Sequence, residues 1–268
     1  MKKLTEEARL RRMLVIGIAF GLAAGVLFTG LAANSIVSKN KAEFAVEKEA
    51  LKKKNDELKQ TIIKHEATNN SAETLGSDAD GWALVLVNES HPLDLSYEPE
   101  SMVETESERF VDARIQESLR QMLDDGAKQG LSMYVASAYR SSEKQKEVFN
   151  TTMQDWIAKG YTPLSAYDET KKSVAVPGTS EHATGLAVDI IASQYEGLDD
   201  KQGDTPEQQW LMEHCWEYGF ILRYPPEKAD ITGIIYEPWH YRYVGEEAAK
   251  AIMKKGITLE EYLAQIQK

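Results

Sequence analysis

Ser180-Glu-His-Ala-Thr-Gly-Leu-Ala-Val-Asp189 and, further along, Glu237-Pro-Trp-His240 are the two stretches on which the reading of this chain turns. They carry His182, Asp189 and His240, with Glu237 three residues before the last of these. Two imidazoles and one carboxylate form a common ligand set for a catalytic zinc, leaving the fourth position to water. A neighbouring carboxylate that does not bind the metal suits such a water as its proton acceptor. The chain has five histidines, and two of them fall here. Taken one at a time, the His-x6-Asp and Glu-x-x-His spacings fit a surface or core-edge pair better than a metal site. Their surroundings favour a shared site and a zinc hydrolase.

Pro177-Gly178 marks a turn ahead of His182. Leu186, Val188 and Ile190 alternate with Ala187 and Asp189, which predicts a strand with Asp189 on the face opposite Val188. A second apolar run, Ile234-Ile235-Tyr236, leads into Glu237. Residues three apart on a straight strand face opposite ways. The chain must therefore bend between Glu237 and His240 for both to serve one site, and Pro238 is the place for it.

The 268 residues suffice for one sizeable domain with appendages, and the appendages lie at the N-terminus. Met13 to Ala33 is an uncharged run of 21 residues. That matches the ~20 residues of a bilayer-spanning helix. Lys2, Lys3, Arg9, Arg11 and Arg12 precede it, placing the N-terminus in the cytoplasm and everything later outside. A cleaved signal peptide is the alternative, because small residues near Ala32 could serve as a cleavage site. The apolar run exceeds the usual ~7–15-residue signal core, which favours an uncleaved anchor. Cys215 is the only cysteine, so no intrachain disulfide and no thiolate-rich zinc site can form. A disulfide-free extracellular domain fits a bacterium better than a eukaryotic secretory route.

Charge divides unevenly along the chain. Residues 1–66 carry 13 basic against 8 acidic side chains, a net +5, and the remainder 18 against 35, a net −17. So acidic a domain is a poor candidate for nucleic-acid binding or for anionic polymers. Its substrate is then recognised by a local pocket.

The organisation expected is a cytoplasmic tail over 1–12, an anchor over 13–37, a helical stalk over 38–66, a linker over 67–80 and a catalytic domain over 81–268. In the stalk, Phe44, Leu51, Leu58 and His65 recur every seven residues, with Lys41, Lys48, Asn55 and Ile62 in the other seam position. A weak dimer through this seam and a solvated single helix acting as spacer both fit. Within the domain, strands are expected at Trp82–Asn88, Leu131–Ala138, Leu186–Ala192, Phe220–Arg223 and Ile234–Tyr236. Helices are expected at Arg109–Lys128, Glu143–Ala158, Glu207–Tyr218 (closed by Gly219), Gly245–Lys255 and Leu259–Gln267. No regular βαβ unit appears, so the class is α+β with a mainly antiparallel sheet.

Five stretches in order closely resemble the VanY-type D-alanyl-D-alanine carboxypeptidases of bacteria. They are Leu86-Val-Asn-Glu-Ser-His-Pro-Leu93, Ser137-Ala-Tyr-Arg-Ser141 with Gln145, and Gly178-Thr-Ser-Glu-His-Ala-Thr-Gly-Leu-Ala-Val-Asp189. Gly219-Phe-Ile-Leu-Arg-Tyr-Pro225 and Ile231-Thr-Gly-Ile-Ile-Tyr-Glu-Pro-Trp-His-Tyr-Arg-Tyr-Val-Gly245 complete them. The resemblance spans roughly Trp82 to Gly245. It implies the fold shared by zinc D,D-peptidases and the hedgehog signalling domain, and removal of the terminal D-alanine from peptidoglycan stem peptides. It implies His182, Asp189 and His240 as zinc (Zn2+) ligands, Glu237 as general base, and Arg140 as the cation facing the substrate carbonyl and its oxyanion. Ser180 and Gln145 would line the pocket for the terminal carboxylate. His65, His91 and His214 take no part, and Trp239 is a wall of the site.

An L,D-carboxypeptidase acting on tetrapeptide stems would carry the same motifs. A membrane-anchored wall scaffold without catalysis would share the layout of anchor and stalk. Retention of all three ligand positions, Glu237 and Arg140 argues for an enzyme.

Overall fold

The computed structural model describes residues 45–46, 48–50, 52–54, 56, 81–105 and 107–266. They fall into two compact units, one within Met1–Leu58 and the other within Lys59–Lys268. The described residues of the first are helical and mostly exposed. The expected tail, anchor and linker lie outside the described residues. Among those described, no helix is long and apolar enough to cross a membrane.

The second unit is built on a four-stranded sheet. Its strands are β3 (Met133–Ser137), β4 (Ala187–Ala192), β5 (Phe220–Leu222) and β6 (His240–Tyr243). They lie in the order β3-β4-β6-β5, and every pairing is antiparallel. Besides a single helical turn at Ala229–Thr232, the helices of this unit are α1 (Gln116–Lys128), α2 (Ser142–Ala158), α3 (Pro163–Thr170), α4 (Pro206–His214), α5 (Glu246–Lys255) and α6 (Leu259–Ile266). The expected α+β antiparallel class is thus what forms.

Two-residue alternation sorts the sheet into faces. Val135, Val188, Ile190, Phe220, Leu222 and Tyr241 pack with Ile115 just before α1, with Leu119 and Met122 of α1 and with Leu211 of α4. Ile221, which points the other way on β5, packs with Ala248, Ala249, Ile252, Leu259 and Leu263 of α5 and α6. Full burial of such side chains stabilises the fold by about 1.5–3 kcal/mol each. Asp189 and His240 also point away from the first core and remain open to a cleft.

The structure corrects several boundaries. Trp82–Asn88 is not a strand: Gly81–Leu84 forms a 3-10 turn, and only Asn88 bridges, to His91. The carbonyls that a neighbouring strand would use, those of Ala83 and Val85, accept instead from the Arg242 guanidinium (2.9 and 2.7 Å). Ile234–Tyr236 is likewise not a strand. Its amides go to loops: Ile235 N donates to the Lys172 carbonyl (2.9 Å), and that of the following Glu237 to Tyr224 (3.1 Å). The ladder begins only after the Pro238 turn, at His240. The helix expected from Arg109 starts at Gln116, because Phe110–Asp112 (β2) pairs with Met102–Glu104 (β1) in a hairpin. Asp112 then caps a 3-10 turn by accepting from Arg114 N (2.9 Å). α3, absent from the sequence reading, opens with Thr162 accepting from Ser165 N and with Pro163 in its first turn. Gly219 closes the helical segment as expected, in the left-handed region at φ 80°.

Gly185 is another glycine the backbone needs. It ends the turn Glu181–Thr184 at φ 71°, its carbonyl accepts from Asp112 N (2.9 Å), and an added Cβ would stand 2.9 Å from that nitrogen. Gly185→Ala should therefore lower the unfolding free energy by about 1–2 kcal/mol from the left-handed backbone alone, with the crowding of Asp112 adding to it. Urea unfolding of the two proteins reads the difference, and equal midpoints would contradict it.

Candidate metal centre

Three segments meet above β4. In the antiparallel register Asp189 stands opposite His240 of β6 on one side and Ser137 of β3 on the other. His182 is delivered by the 3-10 turn that precedes β4. Its Nδ1–H donates to the Ala138 carbonyl (2.7 Å). A carbonyl can only accept, so this fixes the tautomer and leaves the Nε2 lone pair facing Asp189 Oδ2 at 3.3 Å. His240 presents the other nitrogen: its Nδ1 lies 3.1 Å from Asp189 Oδ1. That pair is misaligned for a hydrogen bond, and Oδ1 is left without a partner.

One donor atom each from His182, Asp189 and His240 lies within 4.8 Å of the others. Tetrahedral zinc with bonds of about 2.0–2.1 Å sets its ligand atoms roughly 3.3 Å apart. His240 Nδ1 stands 3.1 Å from Oδ1 and His182 Nε2 3.3 Å from Oδ2 of the same carboxylate, each near that spacing. Oδ1 is left orphaned against one imidazole nitrogen, with the second imidazole against the other oxygen of the same carboxylate, a donor set that suits a divalent cation. These residues fit zinc.

Glu237 reaches the same point from a turn. His240 N donates to the Glu237 carbonyl (3.2 Å), which folds Pro238-Trp239 back and brings Glu237 Oε2 to 3.8 Å from His240 Nδ1. The expected bend at Pro238 is therefore present. Burial pushes the Glu237 carboxyl up to about 8; His240 and Arg140 pull it back and Asp189 adds to the rise. Burial alone would lower the His240 imidazole, but Asp189, Glu181 and Glu237 outweigh it and hold the ring up at about 9. Burial dominates at His182 and lowers it. Asp189 is held far below the usual carboxylate range by the two imidazoles, against its burial.

Arg140 lines the cleft with its guanidinium 3.9 Å from Asp189 Oδ2. It is held by Ser137 Oγ (2.8 Å) and Gln145 Oε1 (2.9 Å). Gln145 is buried, and its Nε2 donates to the Ala175 carbonyl (2.6 Å). Both ends of the Gln145 amide are thus engaged, and in this structure it braces Arg140 at the cleft wall. Ser180 lines the cleft and makes no capping bond. The cleft encloses about 690 Å³, with Tyr224, Ile234, Ile235 and Trp239 among its apolar walls. His214 is remote, pairing with Glu217 (2.8 Å) against Trp210. His91 sits by Asn88, and His65 lies outside the described residues.

Sequence reasoning missed the groups beneath the ligands. Glu181 is enclosed by Arg223 and Arg242, and these arginines are 1% and 0% exposed. The signal was available: arginines inside otherwise apolar strand runs, Phe-Ile-Leu-Arg and His-Tyr-Arg-Tyr, need buried partners.

The family model described as VanY, D-alanyl-D-alanine carboxypeptidase, matches residues 108–246. A D-alanyl-D-alanine carboxypeptidase of Enterococcus faecalis is 45% identical over 186 residues, which cover 69% of this chain and 67% of that protein. The crystal structure of a vancomycin resistance D,D-pentapeptidase VanY mutant with Zn(II) aligns with TM-score 0.62 at 42% identity, covering 68% of this chain and 99% of that one. The LD-carboxypeptidase LdcB aligns with TM-score 0.59 at 38% identity, over 67% of this chain and 84% of that one.

Above pH 6.5 the metal-free fold holds protons that the unfolded chain has released, on Glu237 up to about pH 8 and on His240 up to about pH 9. Both folded values are raised, so their stabilisation is lost as pH climbs through that window. A divalent ion favours the deprotonated forms and removes the loss. Thermal melts at pH 6.5 and 9, with chelator and with zinc, should show Tm falling with pH only in the metal-free protein. A metal-free Tm that rises over this range would contradict the assignment.

Proposed function

Because the chain belongs to the VanY family of D-alanyl-D-alanine carboxypeptidases, we infer that it is a zinc D,D-carboxypeptidase removing the terminal D-alanine from peptidoglycan stem peptides. The observation that carries this is the convergence of His182, Asp189 and His240 on one point with Glu237 beside it. His182 through Nε2, His240 through Nδ1 and Asp189 through a carboxylate oxygen are the proposed ligands. Zinc when bound polarises the scissile carbonyl and lowers the pKa of a water molecule.

The remaining steps belong to the chain's own side chains. Glu237 takes the proton of the attacking water and returns it to the leaving amine. Its buried, apolar setting makes it a stronger base than an exposed carboxylate. Arg140, braced by Ser137 and Gln145, places a fixed cation where the oxyanion develops. Ser180 offers a hydroxyl to the terminal carboxylate of the peptide. Trp239 and the isoleucines exclude bulk water from the reacting bond.

Glu237→Gln keeps shape but cannot accept a proton, so kcat should fall at least ~10²–10⁴-fold, with zinc near one per chain. His240→Ala should lose zinc and activity together. Zinc analysis beside single-turnover rates separates the two roles, and loss of metal from Glu237→Gln would make it a ligand instead.

The fold is shared with an L,D-carboxypeptidase, and this favours one competing specificity. Incubation with penta- and tetrapeptide stems decides between them: release of D-alanine from the pentapeptide alone is expected.

We further propose that residues 13–37 anchor the protein in a bacterial cytoplasmic membrane, with residues 38–66 as stalk and the catalytic domain outside. The support is the uncharged run Met13–Ala33 behind five basic residues. Protease added to intact protoplasts should remove the domain, and complete protection would refute this topology.

A further inference from the structure

Glu181 has no part in the chemistry above, yet its carboxylate is 1% exposed and stands beside the ligands. Its Oε1 accepts from Nε of Arg223 and from Nη1 of Arg242, each at 2.8 Å. Its Oε2 has no hydrogen-bond partner. Among the described residues only three buried side-chain atoms are left so: Glu181 Oε2, Asp189 Oδ1 and His240 Nε2. Asp189 Oδ1 lies 3.1 Å from His240 Nδ1 within the proposed ligand set. The other two face each other, 3.7 Å apart.

The arginines explain why this carboxylate cannot turn elsewhere. Arg223 is held on its far side by Glu260 of α6 (3.0 and 2.6 Å). Arg242 is held by the carbonyls of Ala83 and Val85. Oε1 is thereby pinned between two fixed guanidiniums, and Oε2 is aimed at the imidazole edge. An ionised carboxylate only accepts hydrogen bonds, so the group it can take from His240 is an Nε2–H. An imidazole bearing its proton on Nε2 has its lone pair on Nδ1, the atom already turned toward Asp189 and Glu237.

We propose that Glu181 is a positioning residue for His240: its Oε2 accepts the Nε2–H and thereby fixes the ring with Nδ1 toward the metal. The inference rests on the zinc reading of the site. Carboxylates or carbonyls behind metal-bound histidines fix the tautomer and raise ligand basicity, and their loss costs typically ~10–100-fold in metal affinity. The Ala138 carbonyl serves His182 in this way, and Glu181 is its counterpart for the second imidazole.

The test uses the full chain with zinc as the probe. Zinc stoichiometry of the wild type and of His182→Ala checks the underlying reading by itself. Competition with a chromophoric chelator then compares Glu181→Gln with Glu260→Gln. The glutamine at 181 would satisfy the arginines with its carbonyl and turn its NH2 to the ring, donor against donor. Zinc affinity should fall ~10–100-fold in Glu181→Gln and stay within about threefold of wild type in Glu260→Gln, which loosens Arg223 but leaves the Glu181 contact. Unchanged affinity in Glu181→Gln, or an equal loss in both variants, overturns the proposal, since either would leave Glu181 as a counter-ion for the arginines only. A nitrogen-15 spectrum of zinc-loaded wild type tests it without a variant. The His240 proton should reside on Nε2 and exchange slowly with solvent, and zinc on Nε2 or a freely exchanging proton refutes it.

Discussion

The antiparallel register that sets Asp189 opposite His240 is the constraint on which the rest depends. Two ligands from strands far apart in sequence are brought face to face by backbone hydrogen bonds, with no help from either side chain. A slip of one residue would turn Asp189 into the core and Val188 toward the cleft. The packing prevents that slip, because Val188, Ile190 and Tyr241 fill the space under the sheet against α1 and α4. The hydrophobic pattern of β4 thus fixes the geometry of its one carboxylate. His182 and Glu237 are then added by turns at either end of this pair, and turns can place a side chain where a straight strand cannot.

Beneath the ligands lies a cluster of charge that an apolar core would not choose. Arg223 and Arg242 are almost wholly buried and share one oxygen of Glu181. Taking such groups out of water costs several kcal/mol per ion even after relaxation, and their mutual attraction often no more than offsets it. Stability therefore gives a weak reason for the cluster. Geometry gives a better one: a carboxylate clamped by two rigid forks has one direction left free, and that direction is His240.

Much of this was legible in the chain, for identifiable reasons. Strand β4 was readable because its apolar residues alternate with Ala187 and Asp189, and the bend before His240 because a proline stood there. The helix ending at Gly219 was legible from the glycine. Two of the failures share one cause. Trp82–Asn88 and Ile234–Tyr236 are apolar and β-prone, but their backbone groups are claimed by Arg242 and by neighbouring loops, which no local pattern reveals. The hairpin of β1 and β2 was hidden for the opposite reason, since its strands are three residues each and carry no alternation to read. Gln145 was placed at the cleft by resemblance. That its amide is divided between Arg140 and a backbone carbonyl is a fact of packing alone.

The clasp formed by Asn88, Arg223, Arg242 and Glu260 has a topological consequence. Asn88 Nδ2 donates to Glu260 Oε1 (3.1 Å), and Arg242 holds the carbonyls of Ala83 and Val85, so the first and last segments of the domain are stitched side by side. Geometrically the domain is close to a ring whose opening happens to fall there. A short linker across that seam, with new ends cut at the exposed turn around Gly160 and Tyr161, would leave each strand pairing and each ligand in place. The order of elements along the chain is in that sense incidental to the centre, while their adjacency in space is not.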